Sequence, residues 1–98
     1  TFIDQNASSE EISKAFRDNT KAFFGETIAN PALTIFDISR MAEIAHKHHV
    51  PLIVDNTFAT PYLCRPFDFG ADIVVHSTTK YMDGHAVQVG GVVVDSGK

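Results

Sequence analysis

Apolar positions along the chain fall into blocks that alternate between strand-like and helix-like spacing. Residues 1–4 (TFID) read as the end of a strand. Ser8 and Glu11 then have the S-x-x-E spacing of a capping box, ahead of a helix that sets Ile12, Ala15 and Phe16 on one face and ends at Asn19. Residues 21–26 (KAFFGE) carry aromatics suited to a strand. Pro31 biases Asn30 away from helical dihedrals, so Asn30-Pro31 predicts a turn. Asp37 is placed to cap a second helix, whose Ile38, Met41, Ala42 and Ala45 fall at i, i+3, i+4 and i+7. Its last turn collects His46, Lys47, His48 and His49, and Pro51 marks its end.

Two short apolar runs follow, at 51–56 (PLIVDN) and 71–77 (ADIVVHS), joined by a Pro- and Phe-rich connection. Both read as parallel strands buried on both faces. A further strand is predicted at 87–95 (VQVGGVVVD), where Gly90 and Gly91 allow a bulge or a close backbone approach. The β-α-β-α-β order predicts an α/β fold, a mainly parallel sheet with helices on its faces, forming one unit over 1–98 with no second domain. No internal repeat or low-complexity linker divides it.

Composition narrows the function classes. The chain has 98 residues, a formal net charge of −4 and a single Cys, with its few basic residues dispersed. Nucleic-acid binding needs clustered Lys and Arg to displace counterions, so it is not expected. Runs such as PLIV are far short of the roughly 20 residues that span a bilayer, so no membrane segment is expected. Cys64 alone can form no internal disulfide, and no zinc-type Cys/His spacing is present, which points to a reducing, cytoplasmic setting. The opening TFID, without Met, and the stop just after an apolar run lead us to expect a segment of a longer protein.

Ligands on parallel α/β sheets bind beyond the carboxyl ends of the strands. Three predicted strand ends carry polar groups: Glu26, then Asp55 with Asn56, then His76 through Lys80. Asp55 follows four apolar residues, so its carboxylate is expected to be largely desolvated and to want a cation or donors. Taken alone, a strand-end Asp more often caps a turn, here through Asn56 and Thr57. Lys80 closes the H-S-T-T-K run, next to hydroxyls that can donate to a phosphate, and a desolvated lysine can attack carbonyls. A solvated lysine in a polar turn is the commoner arrangement. An acid at one strand end, an S-x-T-K turn at the next and a G-H pair after it, in that order, are what a pyridoxal-phosphate site uses.

The remaining polar residues have plainer readings. His46, His48 and His49 complement the helix dipole, with no carboxylate placed to complete a metal site, and Glu10 and Glu11 do the same at a helix start. Cys64 reads as a packing residue. His85, the histidine of the G-H pair, is a candidate to line the same site, which the sequence alone does not decide.

Over the whole segment, V-D-N-T-F-A-T-P-Y at 54–62, A-D-I-V-V-H-S-T-T-K-Y-M-D-G-H at 71–85 and V-G-G-V-V-V-D at 89–95 resemble the Cys/Met-metabolism family of pyridoxal-phosphate enzymes. Glu26 with Asn30-Pro31 is similar to that family's E-x-x-x-N-P turn. Within the family the likeness is greatest to O-acetylhomoserine sulfhydrylases, through ETIANP, CRPFDFGADIVVHSTTK and DGHAVQVGGVVVDSGK.

The resemblance implies part of the large domain of a fold-type I enzyme with pyridoxal 5'-phosphate as cofactor. It implies that Lys80 holds the cofactor covalently and later moves protons on the substrate carbons, and that Asp55 pairs with the ring nitrogen. It further implies that Ser77 and Thr79 bind the phosphate and that Asn30 hydrogen-bonds the ring's phenolic oxygen. The implied reaction replaces the acetyl group of O-acetylhomoserine with sulfide or a thiol, in a homotetramer. Cystathionine γ-synthase, cystathionine lyases and methionine γ-lyase are alternatives within the family, and a non-catalytic, flavodoxin-like binding module is the alternative outside it. Ala86, where many members have Ser or Gly, and Ile28-Ala29, where lyases commonly have a Pro-containing turn, depart from the pattern. The segment lacks the family's Gly-rich phosphate cradle, ring-stacking aromatic and carboxylate-binding arginine, so alone it is expected to be inactive.

Overall fold

The computed structural model describes residues 1–98. Helix α1 spans Ser9–Lys14, strand β1 Phe23–Glu26, helix α2 Ile38–Lys47 and strand β2 Leu52–Asp55. A short helix α3 (Thr60–Leu63) and a 3-10 turn (Pro66–Phe69) lead to strand β3 (Ile73–Ser77), and β4 (Gly91–Asp95) closes the order. The four strands lie in the order β1-β2-β3-β4, with β1–β2 and β2–β3 parallel and β3–β4 antiparallel. The sheet is therefore mainly parallel, as the sequence predicts. No helix is long and apolar enough to cross a membrane.

Local chemistry sets the helix starts. Ser8 and Glu11 form the expected capping box, each side chain bonding the other's backbone N–H. The Asp37 carboxylate accepts from the Arg40 N–H at 3.1 Å and so caps α2. The α2 face carrying Ile38, Met41, Ala42, Ile44 and Ala45 is buried against Leu52, Val54 and Val74 of the sheet.

Four expectations need correction. Residues 1–4 are not a strand, because no sheet edge pairs with them. Asp4 instead opens a turn, its carboxylate accepting from Asn6 N–H at 2.9 Å and its carbonyl from Ala7 N–H at 3.0 Å. Helix α1 stops at Lys14, well short of Asn19. Phe16 swings inward to meet Phe23 edge-on at 5.4 Å and to stack on the His48 ring at 4.4 Å, and Thr20 closes a separate turn through Arg17.

The strands are not buried on both faces. Leu52, Val54 and Val74 are buried beneath α2, whereas Ile53, Ile73 and Val75 on the opposite face are half-buried, and Phe24 and Val93 there are largely exposed. Within this chain the helices thus cover one face only. Finally, β4 begins at Gly91. Val87 and Gly90 give their N–H groups to the Asp83 carboxylate and the Thr79 hydroxyl, both at 2.9 Å, and only the Gly90 carbonyl, accepting from the Thr78 N–H at 3.0 Å, reaches the backbone at the end of β3 ahead of β4.

Two contacts give testable consequences. A methyl group on Gly25 would sit 2.4 to 2.8 Å from ring carbons of Phe36, which covers β1 at that point. Gly25→Ala in the full-length protein is therefore expected to cost roughly 1–3 kcal/mol by overpacking, read as a lower denaturant midpoint. An unchanged midpoint would mean that Phe36 can move aside freely.

Asp72, at the start of β3, accepts from the Leu52 N–H at 2.8 Å and pairs with His46 Nε2 at 2.7 Å. Burial alone would raise its carboxyl, but the His46 and Leu52 hydrogen bonds and the charges of His46 and Lys98 outweigh burial and hold it below its ordinary value of 3.8. A depressed carboxyl stabilises the fold fully above that ordinary value, and the contribution is lost as pH falls through the depressed one. Asp72→Asn should accordingly be less stable than the parent near neutrality, with the gap closing below about pH 3.8 in paired unfolding curves. A gap that stays constant down to pH 2 would contradict this linkage.

Candidate functional site

The parallel register brings strand ends together. Glu26 pairs with Asp55 across β1–β2, and Asp55 pairs with Val75 across β2–β3, so Glu26, Asp55 and Ser77 lie on one face at the carboxyl edge. Asn30 reaches the same edge because the turn after β1 folds back, with the Asn30 N–H donating to the Glu26 carboxylate at 3.3 Å. Lys80 arrives from the turn after β3, where its N–H approaches the Ser77 carbonyl at 3.4 Å.

Asn30, Asp55, Ser77 and Lys80 line one cleft of about 350 Å³, together with Glu26, Ile28, Thr57, Phe58 and Tyr81. Thr79 lies outside it. Its hydroxyl accepts from Gly90 N–H at 2.9 Å and donates to Gly90 O at 3.3 Å, strapping the turn after β3 to the approach of β4. This strap needs glycine, since a methyl group on Gly90 would stand 2.7 Å from the Thr78 hydroxyl. His85 is exposed and does not line the cleft. A larger hollow of about 520 Å³ lies at the other end of the sheet, between the first residues and the start of β1, and gathers none of these groups.

Asp55 is half-buried rather than fully desolvated. Its Oδ1 accepts from the Thr57 hydroxyl at 2.6 Å and from the Thr57 N–H at 2.9 Å, while Oδ2 makes no hydrogen bond within the chain. One carboxylate oxygen thus caps the turn, and the other stays available. The adjoining Asn56 is wholly buried. Its carboxamide accepts from the Thr27 hydroxyl at 2.8 Å and donates to the Cys64 carbonyl at 2.8 Å, tying the ends of β1, β2 and α3 together. The sequence reading missed Thr57, Phe58 and Tyr81 as cleft residues. A hydroxyl two residues after a strand-end Asp was a usable signal for the first; the two aromatics, 6.4 Å apart, carried none.

The other titratable groups serve the fold. Burial pushes the Cys64 thiol up, with the Asp68 charge adding to it, so the sulfur stays protonated at neutral pH and packs against the core. The histidines at the end of α2 diverge. His46 does meet a carboxylate, Asp72, contrary to the expectation that none was placed there, but as a single hydrogen-bonded pair at 2.7 Å that ties α2 to the start of β3. His48 instead bonds the Ser13 hydroxyl at 2.5 Å.

Comparison with known proteins agrees with this architecture. The family described as "Cys/Met metabolism PLP-dependent enzyme" matches over residues 1–98. The chain is 56% identical to the cystathionine gamma-lyase of Bacillus subtilis over 98 residues, all of this chain and 26% of that protein. It is 49% identical to the O-acetyl-L-homoserine sulfhydrylase of Corynebacterium glutamicum over 98 residues, again all of this chain and 22% of the relative. A crystal structure from Campylobacter jejuni, assigned as an O-acetylhomoserine (thiol)-lyase and containing N'-pyridoxyl-lysine-5'-monophosphate, superposes with a TM-score of 0.85 at 41% identity. That match covers 90% of this chain and 22% of the other. The fold is accordingly a piece of a fold-type I large domain. The chain belongs to the Cys/Met-metabolism family of pyridoxal-phosphate-dependent enzymes, and it spans about a quarter of the length of the relatives it matches.

Proposed function

We propose that the chain forms the lysine-bearing part of a pyridoxal-phosphate-dependent transferase that replaces the acetyl group of O-acetylhomoserine with sulfide or a thiol. The convergence of Asn30, Asp55, Ser77 and Lys80 on one cleft at the carboxyl edge of the sheet carries the pyridoxal-phosphate part of this reading, and the 49% identity to the Corynebacterium glutamicum O-acetyl-L-homoserine sulfhydrylase supports the choice of reaction. The donor set fits the cofactor. An aldehyde, a basic ring nitrogen, a phenolic oxygen and a phosphate call for a primary amine, an acid with an uncommitted oxygen, a carboxamide and hydroxyls, and these are the groups present.

When bound, pyridoxal phosphate supplies an electron sink that stabilises carbanions on the amino-acid substrate. Lys80 Nζ would hold it covalently and, once displaced by substrate, take and return protons at the substrate carbons. Asp55 Oδ2 would face the ring nitrogen and keep its proton in place. Ser77 and Thr79 would donate to the phosphate, Thr79 by exchanging its long 3.3 Å bond to Gly90 O, and Asn30 would donate to the phenolic oxygen. In the same reading the full-length protein is a cytoplasmic homotetramer, and residues outside this chain complete the site, so the isolated chain does not turn over.

A γ-lyase is the second reading, supported by the 56% identity to the Bacillus subtilis cystathionine gamma-lyase. The full-length protein separates the two. O-acetylhomoserine with sulfide should give homocysteine and acetate faster than cystathionine gives cysteine, 2-oxobutanoate and ammonia. The reverse order would assign it as a lyase.

A further inference from the structure

We propose that Thr57 is a positioning residue that aims the Asp55 carboxylate and locks it to the end of β3. The proposal rests on the reading of Asp55 as the partner of the cofactor's ring nitrogen. The Thr57 hydroxyl bonds to both groups: it donates to Asp55 Oδ1 at 2.6 Å and accepts from the Ser77 N–H at 2.8 Å.

A hydroxyl has one proton. The Ser77 N–H must donate, so it occupies a lone pair of Thr57 Oγ1 and leaves the hydroxyl proton directed at Asp55. The Thr57 N–H reaches the same Oδ1 at 2.9 Å. With two donors on one oxygen the carboxylate plane is fixed, and Oδ2 is the oxygen it can offer a ligand in the cleft. The same hydroxyl joins β2 to β3, so it also sets the separation between Asp55 and Ser77. These are the groups assigned to the ring nitrogen and to the phosphate. A group that orients a reacting or charge-stabilising side chain acts through geometry, and small misplacements are costly in rate.

The test uses the full-length holoenzyme loaded with pyridoxal phosphate carrying a heavy-isotope ring nitrogen, whose NMR shift reports ring protonation. Thr57→Val keeps the shape and removes the hydroxyl, and Thr57→Ser keeps the hydroxyl. The parent and Thr57→Ser should show a protonated ring nitrogen. Thr57→Val should move the resonance toward the unprotonated position, with kcat at least about tenfold lower and KM little changed, the loss expected of one hydrogen bond to a charged group. Thr57→Ala gives the same reading where the valine variant does not fold.

A parent shift that Asp55→Ala leaves unmoved would overturn the role of Asp55, and this proposal with it. Where Asp55→Ala does move the shift, a parent-like resonance in Thr57→Val and Thr57→Ala overturns the role of Thr57 alone. An equal loss in Thr57→Ser and Thr57→Val would also overturn it, because packing of the methyl group would then be the cause.

Discussion

Lys80→Ala in the full-length protein is expected to abolish covalent attachment of pyridoxal phosphate and to lower kcat by roughly 10²- to 10⁴-fold, the usual contribution of a positioned proton-transfer group. Lys80 is exposed at the mouth of a cleft whose other polar groups come from the ends of β1, β2 and β3. No other lysine of the chain lines that cleft. Lys80→Arg separates charge from chemistry, because a guanidinium keeps the positive charge but is always protonated and cannot serve as the amine. Steady-state kinetics at saturating cofactor should find both variants equally impaired. A kcat within about threefold of the parent, or roughly 0.7 kcal/mol of barrier, would remove Lys80 from the chemistry.

Asp55→Ala is the second large effect. It should leave cofactor attachment at Lys80 intact and lower kcat by about 10²-fold or more, as expected if the lost electrostatic stabilisation is about 3 kcal/mol. The carboxylate is held by Thr57 at one oxygen only, so its removal unties a turn as well as a charge. Asp55→Asn distinguishes the two, since the carboxamide can still accept from Thr57 but carries no charge. Both variants should be slow. Recovery of near-parent kcat in Asp55→Asn would mean that the side chain is a turn cap and nothing more.

The elements that local rules specify were legible in the sequence. Helix α2 follows from one capping Asp and a four-position apolar stripe, and both features operate within a few residues of each other. Strands β2 and β3 follow from short apolar runs bounded by Pro51 and by polar strand ends. What was not legible depends on partners distant in the chain. Residues 1–4 have strand-like composition, yet a strand needs a neighbour, and the sheet ends at β1. Helix α1 stops at Lys14 and Phe16 packs on Phe23 and His48, and the His48 contact comes from 32 residues further along the chain, beyond the reach of a local pattern. The exposed sheet face could not be foreseen, because a strand buried on one face and a strand buried on two both read as an apolar run.

At the site, Glu26, Asp55 and the run from Ser77 to Lys80 were legible as strand ends, because parallel crossovers return every strand in the same direction, whereas Asn30 was indicated only by the family resemblance. The rule that ligands bind beyond carboxyl ends then selects one edge of the sheet. Two uses of Asp55 that stood as rivals in the sequence prove compatible in the structure: Oδ1 caps the Thr57 turn while Oδ2 is left free. Thr57 as a link between Asp55 and Ser77 was hidden, since its bond to the Ser77 N–H spans 20 residues and is set by the β2–β3 register. The Gly90 strap on Thr79 was half visible: a glycine pair signalled a close backbone approach but not what approaches.

The most direct measurement is borohydride reduction of the full-length holoenzyme followed by peptide mass mapping of the pyridoxyl adduct. The adduct should lie on Lys80, within the peptide that carries the H-S-T-T-K run. An adduct on Lys14, Lys21, Lys47 or Lys98, or on a lysine outside this chain, would contradict the assignment of the cleft between β1, β2 and β3 as the cofactor site.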